Sequence, residues 1–358
     1  MTHPAKLDPL YETAKQLILD TKNPTISLVQ RHMLIGYNRA VDLIQAMEGE
    51  VVTPQDQSGR WKMLVGETYD TRSDPYWDGV SGWIWGVNET SAEQAHISVC
   101  CFSKRGVGKA RNEDAILLPG LVQQGTVREH GCLDLSEPRY FAIADGVSQA
   151  AEPRMASFRL LNRLKMLLDG VQANTSMSAL LHRLQKEYAI LGDKPEYFGM
   201  ASTLVGARLV GNAATIFNVG DSRAYLLTKA DNGSQAHLLS RDHSLVSDML
   251  TDGEITPEQA ENAASIMRGL SCQFIADAEF DEFRVNIVTH TLQPGERLLL
   301  CSDGLNEVLS DTDIAALFVG NSDEDLMNAY KASRRAGGTD DFSVIVLEFL
   351  WPHLSGNI

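Results

Sequence analysis

From residue 96 onward the chain alternates short apolar runs with polar turns. HISVCCFS (96–103), RYFAIAD (139–145), STLVGARLV (202–210), AATIFNVGD (213–221), AYLLT (224–228), ERLLLCSD (296–303) and FSVIVLEFL (342–350) are rich in Val, Ile, Leu and Phe and predict strands. ASFRLLNRLKMLLDG (156–170), SMSALLHRLQKEYAIL (176–191) and DEDLMNAYKASRRAG (323–337) repeat their apolar residues at helical spacing. The helices do not alternate regularly with strands, which argues against a doubly wound parallel sheet. An α+β arrangement of antiparallel sheets with helices packed outside fits better.

The front of the chain is patterned differently. Asp8-Pro9 is a helix start, with a capping carboxylate and proline at the first helical position. Leu10, Ala14, Leu17 and Ile18 follow at helical spacing. Ser27 to Gln30 is a capping box for a second, short helix. Ala40, Leu43, Ile44 and Met47 share one face of a third. Val51-Val52-Thr53 and Trp61 to Val65 flank a polar turn, as in a hairpin. Three helices plus a hairpin make a winged helix-turn-helix pattern over residues 1–65. Residues 66–95 read as a linker, and their Trp77, Trp83 and Trp85 are expected to be buried on a neighbouring domain. Residues 96–350 form the main domain.

Composition narrows the function. The hydrophobic share, 44%, is that of a globular protein, and no apolar run is long enough to span a bilayer. The first residues lack a signal-peptide core, so a cytoplasmic location and no membrane partner are expected. The five cysteines are odd in number and form no C-x-x-C pair, which argues for buried thiols over disulfides or a zinc ribbon. Net charge is −16, unsuited to general nucleic-acid binding. Residues 1–65 hold seven basic and seven acidic side chains, so the whole deficit lies behind them.

Three apolar strands end on aspartate: Asp145, Asp221 and Asp303. Another begins just after Asp340 and Asp341, and Glu113-Asp114 precedes a fourth apolar run. One Asp-Gly pair is an ordinary turn. Several carboxylates at sheet edges, far apart in sequence, suggest convergence on one point. Carboxylate oxygens with water are the donor set for Mg2+ or Mn2+, and the lack of histidine in these motifs disfavours zinc.

The ordered motifs N-E-D, A-D-G, GMASTLVGARL, NVGDSRAYLL, SRDHSLV, CSDGL and GGTDDFSVIV resemble the PP2C family of metal-dependent serine/threonine phosphatases, in its bacterial branch. The resemblance implies a β-sandwich of two antiparallel sheets flanked by helices. It also implies two Mn2+ or Mg2+ ions that activate a water for in-line attack on a phosphoester. By resemblance, Asp145 bridges both ions, the Gly146 carbonyl helps hold one, Asp303 and Asp340 hold the other, and Asp114 orients water with Glu113 in support. Asp221 matches the aspartate of a third ion; the alternative for it is a turn cap ion-paired with Arg223. The family arginine that grips substrate phosphate is Lys109 here, with Arg111 close by as a substitute. The family histidine after A-D-G has no match at Val147, which leaves water as the proton source for the leaving group. His243 reads as a structural turn residue.

The segment ISLVQRHMLIGYNRAVDLIQAME resembles the gamma domain of the bacterial FtsK-type DNA translocase. That family reads DNA in the major groove, which places Asn38 and Arg39 at the start of a recognition helix and Arg31, His32, Arg60 and Lys62 at the backbone. A protein-docking role for the same module stays open. The expected partners are a phosphorylated protein, a serine/threonine kinase or its targets, and DNA. The alternative to an enzyme is a DNA- or partner-binding regulator with a phosphatase-like sensor domain.

Overall fold

A computed structural model describes residues 6, 8–21, 29, 33, 37–47, 51–52, 84–85, 96–170, 175–230, 233–261, 263, 269–280, 282–320 and 323–350. The chain divides into two compact units, Met1–Gly82 and Trp83–Ile358.

In the first unit, helix α1 (Tyr11–Thr21) and helix α2 (Tyr37–Gln45) pack through Ala14, Ile18, Ala40, Leu43, Ile44 and Met47, the faces their spacing predicts. Asp8 caps α1, its Oδ1 accepting from Leu10 N at 2.9 Å. The second helix and the hairpin fall largely outside the described residues. So do Trp77 and Trp83 of the linker; Ile84–Trp85 pairs with a strand of the second unit.

The second unit is two facing sheets with helices on both outer sides. One sheet runs β1 (Ile84–Trp85), β5 (Val127–Asp134), β2 (His96–Lys104), β15 (Phe342–Leu350), β14 (Arg297–Cys301), β10 (Arg223–Ala230), β11 (Gly233–Leu238). The other runs β13 (Asn286–Thr291), β9 (Ala213–Val219), β8 (Leu204–Val210), β6 (Arg139–Asp145), β3 (Asp114–Leu118), β4 (Leu121–Gln124). Every pairing within the sheets is antiparallel except β1 with β5.

Strict alternation builds the layers. Ile97, Val99, Cys101, Phe141, Ile143, Leu298, Leu300, Ile345 and Leu347 point between the sheets. Their neighbours Ala142 and Ala144 face the opposite way, onto helices α3 (Pro153–Leu168) and α4 (Met177–Ala189). Cys100, Phe102, Leu299, Cys301, Val344 and Val346 face α7 (Asp303–Asn306), α8 (Asp311–Leu317) and α9 (Asp323–Arg335). Two further short helices, α5 (Leu245–Thr251) and α6 (Pro257–Glu261), follow β11 in sequence.

Two expectations are corrected. The run 202–210 is broken at Thr203, because β7 (Ala201–Ser202) leaves to pair with β12 (Phe274–Ile275). Neither Asp303 nor Asp221 ends a strand: β14 stops at Cys301 and Asp303 opens α7, and β9 stops at Val219, two residues before Asp221. All five cysteines are free, and Cys132 alone is only half-buried.

Candidate active site

The antiparallel pairing of β3 and β6 sets Asp114 opposite Asp145. The chain leaving β6 is then anchored. Thr203 N and Ser202 Oγ donate to the Asp145 carbonyl at 2.8 and 2.9 Å, and Gly146 N donates to the Glu113 carbonyl at 3.3 Å. Gly146 has no room for a side chain, since a Cβ would lie 1.9 Å from the Pro153 carbonyl oxygen. Thus the Asp-Gly pair ends a strand and also seats the first turn of α3.

Asp114 is fully buried and held by hydroxyls. Ser302 Oγ and Ser343 Oγ donate to its Oδ2 at 2.8 and 2.6 Å. Behind Ser343 stand Ser103 at 2.7 Å and then Asn112, whose Nδ2 donates to Ser103 Oγ at 2.8 Å. Two buried oxygens, Asp114 Oδ1 and Asp303 Oδ1, have no hydrogen-bond partner among the described residues.

Asp145, Gly146, Asp221, Asp303 and Asp340 line one cleft of about 550 Å³, with Thr203 and Gln273 among its other walls. The protonation of these groups reflects crowding of like charge. Burial, then the Asp341 charge, pushes Asp114 up to about 7. Burial, then Asp114, Asp303, Asp340 and Asp221, holds Asp145 well above the carboxylate range. Asp303 is raised in the same way by burial and then by Asp221 and Asp340. Burial and then Asp242 raise Asp221 to about 6. Asp221 is not the ion-pair partner of Arg223, which instead grips Asp242 with contacts of 2.7, 3.0 and 3.1 Å.

Hard divalent cations fit this donor set: the groups are all oxygens, their mutual repulsion is relieved by positive charge, and two buried oxygens lack partners. Among the described residues no three such side chains close into a ready-made cage. They ring a cleft, which suits ions held partly through water.

Lys109 is engaged differently from a free phosphate grip. Its ammonium donates to Glu113 Oε2 at 2.8 Å, Ser148 Oγ at 3.0 Å and Asp341 Oδ2 at 3.2 Å, and it pairs with Asp340. These partners occupy all three of its donors. Burial opposes its charge, but hydrogen bonds to Asp340 and Glu113 outweigh it and raise the pKa above the ordinary value.

Asp341, which the sequence reading did not assign to the site, ties the neighbouring loop together. It is buried and accepts from Gly106 N at 2.6 Å and Glu113 N at 2.8 Å. The supporting hydroxyls of Ser103, Ser302 and Ser343 were also missed; small polar residues inside or beside apolar strand runs were their available signal. His243 is structural, since it is buried and its Nδ1 accepts from Gly220 N at 3.2 Å.

In the first unit, Arg31, His32, Arg60 and Lys62 lie outside the described residues, and Asn38 is described only as part of α2. Arg39 is 48% exposed and makes a two-pronged ion pair with Asp8 at 2.8 and 2.9 Å. The expected recognition residue therefore clamps the start of α2 to the cap of α1.

Residues 129–332 match the family model for protein phosphatase 2C, and residues 5–66 match that of the Ftsk gamma domain. The serine/threonine protein phosphatase PstP of Mycobacterium tuberculosis is 26% identical over 254 residues, 69% of this chain; the chain spans 44% of that relative's length. The serine/threonine phosphatase stp of Listeria monocytogenes is 31% identical over 223 residues, 58% of this chain and 82% of the relative. Among solved structures, the catalytic domain of PstP in complex with two manganese ions superposes with a TM-score of 0.54 at 25% identity, covering 72% of this chain and 99% of that one.

Proposed function

The chain belongs to the protein phosphatase 2C family, and from that premise we propose that it hydrolyses phosphoserine and phosphothreonine in proteins with Mn2+ or Mg2+. The observation that carries this reading is the convergence of Asp145, Asp221, Asp303 and Asp340, from four distant stretches of chain, on one cleft. Asp145, the Gly146 carbonyl, Asp303 and Asp340 are the residues to hold two ions, and Asp221 offers a position for a third. When bound, such ions polarise the phosphoryl group and lower the pKa of water to near neutrality.

The chain's own groups have defined tasks. Ser302 and Ser343 fix Asp114 through Oδ2 and leave its buried Oδ1, behind the cleft residue Asp145, as the acceptor that orients a water. Lys109 and Asp341 hold Glu113 and Asp340 in place. Lys109 therefore acts on the carboxylates, and the proton for the leaving alcohol comes from solvent, because Val147 cannot donate one. The front module, read as a winged helix on the strength of its family match, targets or regulates the enzyme, by binding DNA through α2. The proposed partners are a phosphoprotein and the kinase that phosphorylates it, and the proposed setting is the cytoplasm.

The test is hydrolysis of para-nitrophenyl phosphate and a phosphothreonine peptide with Mn2+. Removing a charged ligand costs several kcal/mol of transition-state stabilisation, about a thousandfold in rate. Asp145→Asn and Asp303→Asn are therefore expected to be inactive; full activity in either purified variant refutes the reading.

A further inference from the structure

Lys109 gives its ammonium to carboxylates, and among the described residues neither it, nor Glu113, nor Arg111 lines the cleft. Ser148 does line it, and it touches both Lys109 and Glu113. Its Oγ accepts from Lys109 Nζ at 3.0 Å and donates to Glu113 Oε2 at 2.6 Å. The residue is exposed.

The backbone sets this side chain in place. Val147 N donates to the Ala201 carbonyl of β7 at 3.0 Å, and Ala150 N closes a turn on the Val147 carbonyl at 2.9 Å. Ser148 and Gln149 are the two middle residues of that turn, directly after Asp145 and Gly146. The entry of the turn is thus tied to the same short strand whose Ser202 anchors the Asp145 carbonyl. As a clip between Lys109 and Glu113, Ser148 would be redundant, because those two already meet at 2.8 Å. What it adds is reach into the cleft. A serine hydroxyl has one proton to give and two lone pairs. One lone pair here takes the ammonium, which polarises the O–H and strengthens it as a donor. The proton rests on Glu113. A phosphate entering the cleft offers that proton a second, more highly charged acceptor. Glu113 is not left unpaired by the exchange, since Lys109 stays on its Oε2.

We propose that Ser148 binds the substrate phosphate, turning its hydroxyl proton from Glu113 to a phosphoryl oxygen and relaying the charge of Lys109 to it. No covalent bond changes: one hydrogen bond is exchanged for another, and Lys109 keeps its carboxylates. The purpose of the contact rests on the phosphatase reading, but the binding of phosphate does not.

The experiment compares Ser148→Thr with Ser148→Val in the full chain, two side chains of one shape that differ in the hydroxyl. Ser148→Ala repeats the comparison without added methyl groups. One readout is steady-state hydrolysis of a phosphothreonine peptide with Mn2+. The other is a 31P NMR titration of inorganic phosphate with Mg2+, which needs no turnover. Ser148→Val and Ser148→Ala should raise KM and weaken phosphate binding, each by about tenfold, with kcat changing far less. Ser148→Thr should stay near wild type. Well below its melting temperature, Lys109→Met should weaken phosphate binding less in the Ser148→Val background than in wild type, because the relay is already cut.

Equal phosphate affinity in the Thr, Val and Ala variants, or no phosphate binding by wild type, overturns the contact. A fall in kcat with phosphate affinity unchanged also overturns it, and reduces Ser148 to a support for Glu113. Full additivity of Lys109→Met and Ser148→Val refutes the relay of charge. Hydroxyl-dependent phosphate binding with no hydrolysis of any peptide by wild type leaves the contact standing and sinks the phosphatase reading instead.

Discussion

Lys109→Met removes a cation that joins Glu113, Asp340 and Asp341. At separations of 2.8 and 3.2 Å to two of these carboxylates, each contact is worth about 5–6 kcal/mol at an effective dielectric of about 20, before desolvation and screening. Asp341 is 1% exposed and the lysine 20%, so the loss leaves buried charge uncompensated. Removing one partner of such a pair costs about 3–5 kcal/mol. With partial solvent access the expected loss is about 2–4 kcal/mol, on the order of 5–10 °C in Tm. The assay is thermal unfolding in EDTA and in Mn2+. The variant should melt early in EDTA, and the deficit should shrink in Mn2+, because the added cation neutralises the same carboxylates. Asp341→Asn should soften the effect of Lys109→Met, since it removes one of the charges left behind. An unchanged Tm in EDTA, or an equal deficit in both conditions, refutes the idea that Lys109 serves as the counter-charge of this cluster.

Three further outcomes are expected. Gly146→Ala must move the Pro153 carbonyl by about 1.5 Å to reach ordinary contact from 1.9 Å, and Mn2+-dependent hydrolysis should fall about a hundredfold, as steady-state kinetics would show. His243 is pushed down from 6.5 to about 4 by burial and then by the Arg284 charge. The unfolded chain therefore takes up this proton first, and the contribution of the neutral imidazole, complete above pH 6.5, is lost as pH falls toward about 4. Urea melts at about pH 7 and about pH 5 should show wild type losing about 1–2 kcal/mol more than His243→Gln. In the first unit, Asp8→Asn releases Arg39 and should strengthen salt-sensitive binding to duplex DNA, while Arg39→Ala weakens it. Indifference to both substitutions in a gel-shift series would leave Arg39 as a helix clamp only.

The sandwich was legible because its central strands carry unbroken or strictly alternating apolar residues. RYFAIAD and FSVIVLEFL match β6 and β15 residue for residue. β4, β5, β11 and β13 were not read as strands, because they lie at or beside the sheet margins and carry residues such as Arg128, Glu129, His130 and His290, which mask the period of two. The cleft carboxylates were legible because Asp145, Asp221, Asp303 and Asp340 close or follow apolar runs. Asp341 looked like a duplicate of Asp340, yet the two point to different work: one lines the cleft and the other is sealed against Gly106 and Glu113. The strand period turns successive side chains to opposite faces, but which face belongs to the cleft is decided by strands more than 200 residues away in sequence. The occupation of Lys109 was hidden for the same reason, since its partners come from three separate stretches.

The position of β15 between β2 and β14 also governs how the protein can be made. Residues 342–350 fill a slot in the middle of a sheet whose neighbouring strand, residues 96–104, is translated first. Until the ribosome has released β15, β2 and β14 present unpaired edges toward each other, Asp340 is absent from the cleft, and Asp341 and Ser343 are absent from the hydrogen bonds that hold Glu113 and Asp114. The halves of this sheet are joined by closing a loop of more than 200 residues, a slow step governed by chain entropy. A nascent chain stalled before β15 thus exposes two apolar edges at once, a species prone to aggregation. The unit gains its central sheet and its full set of acidic groups in the same late event.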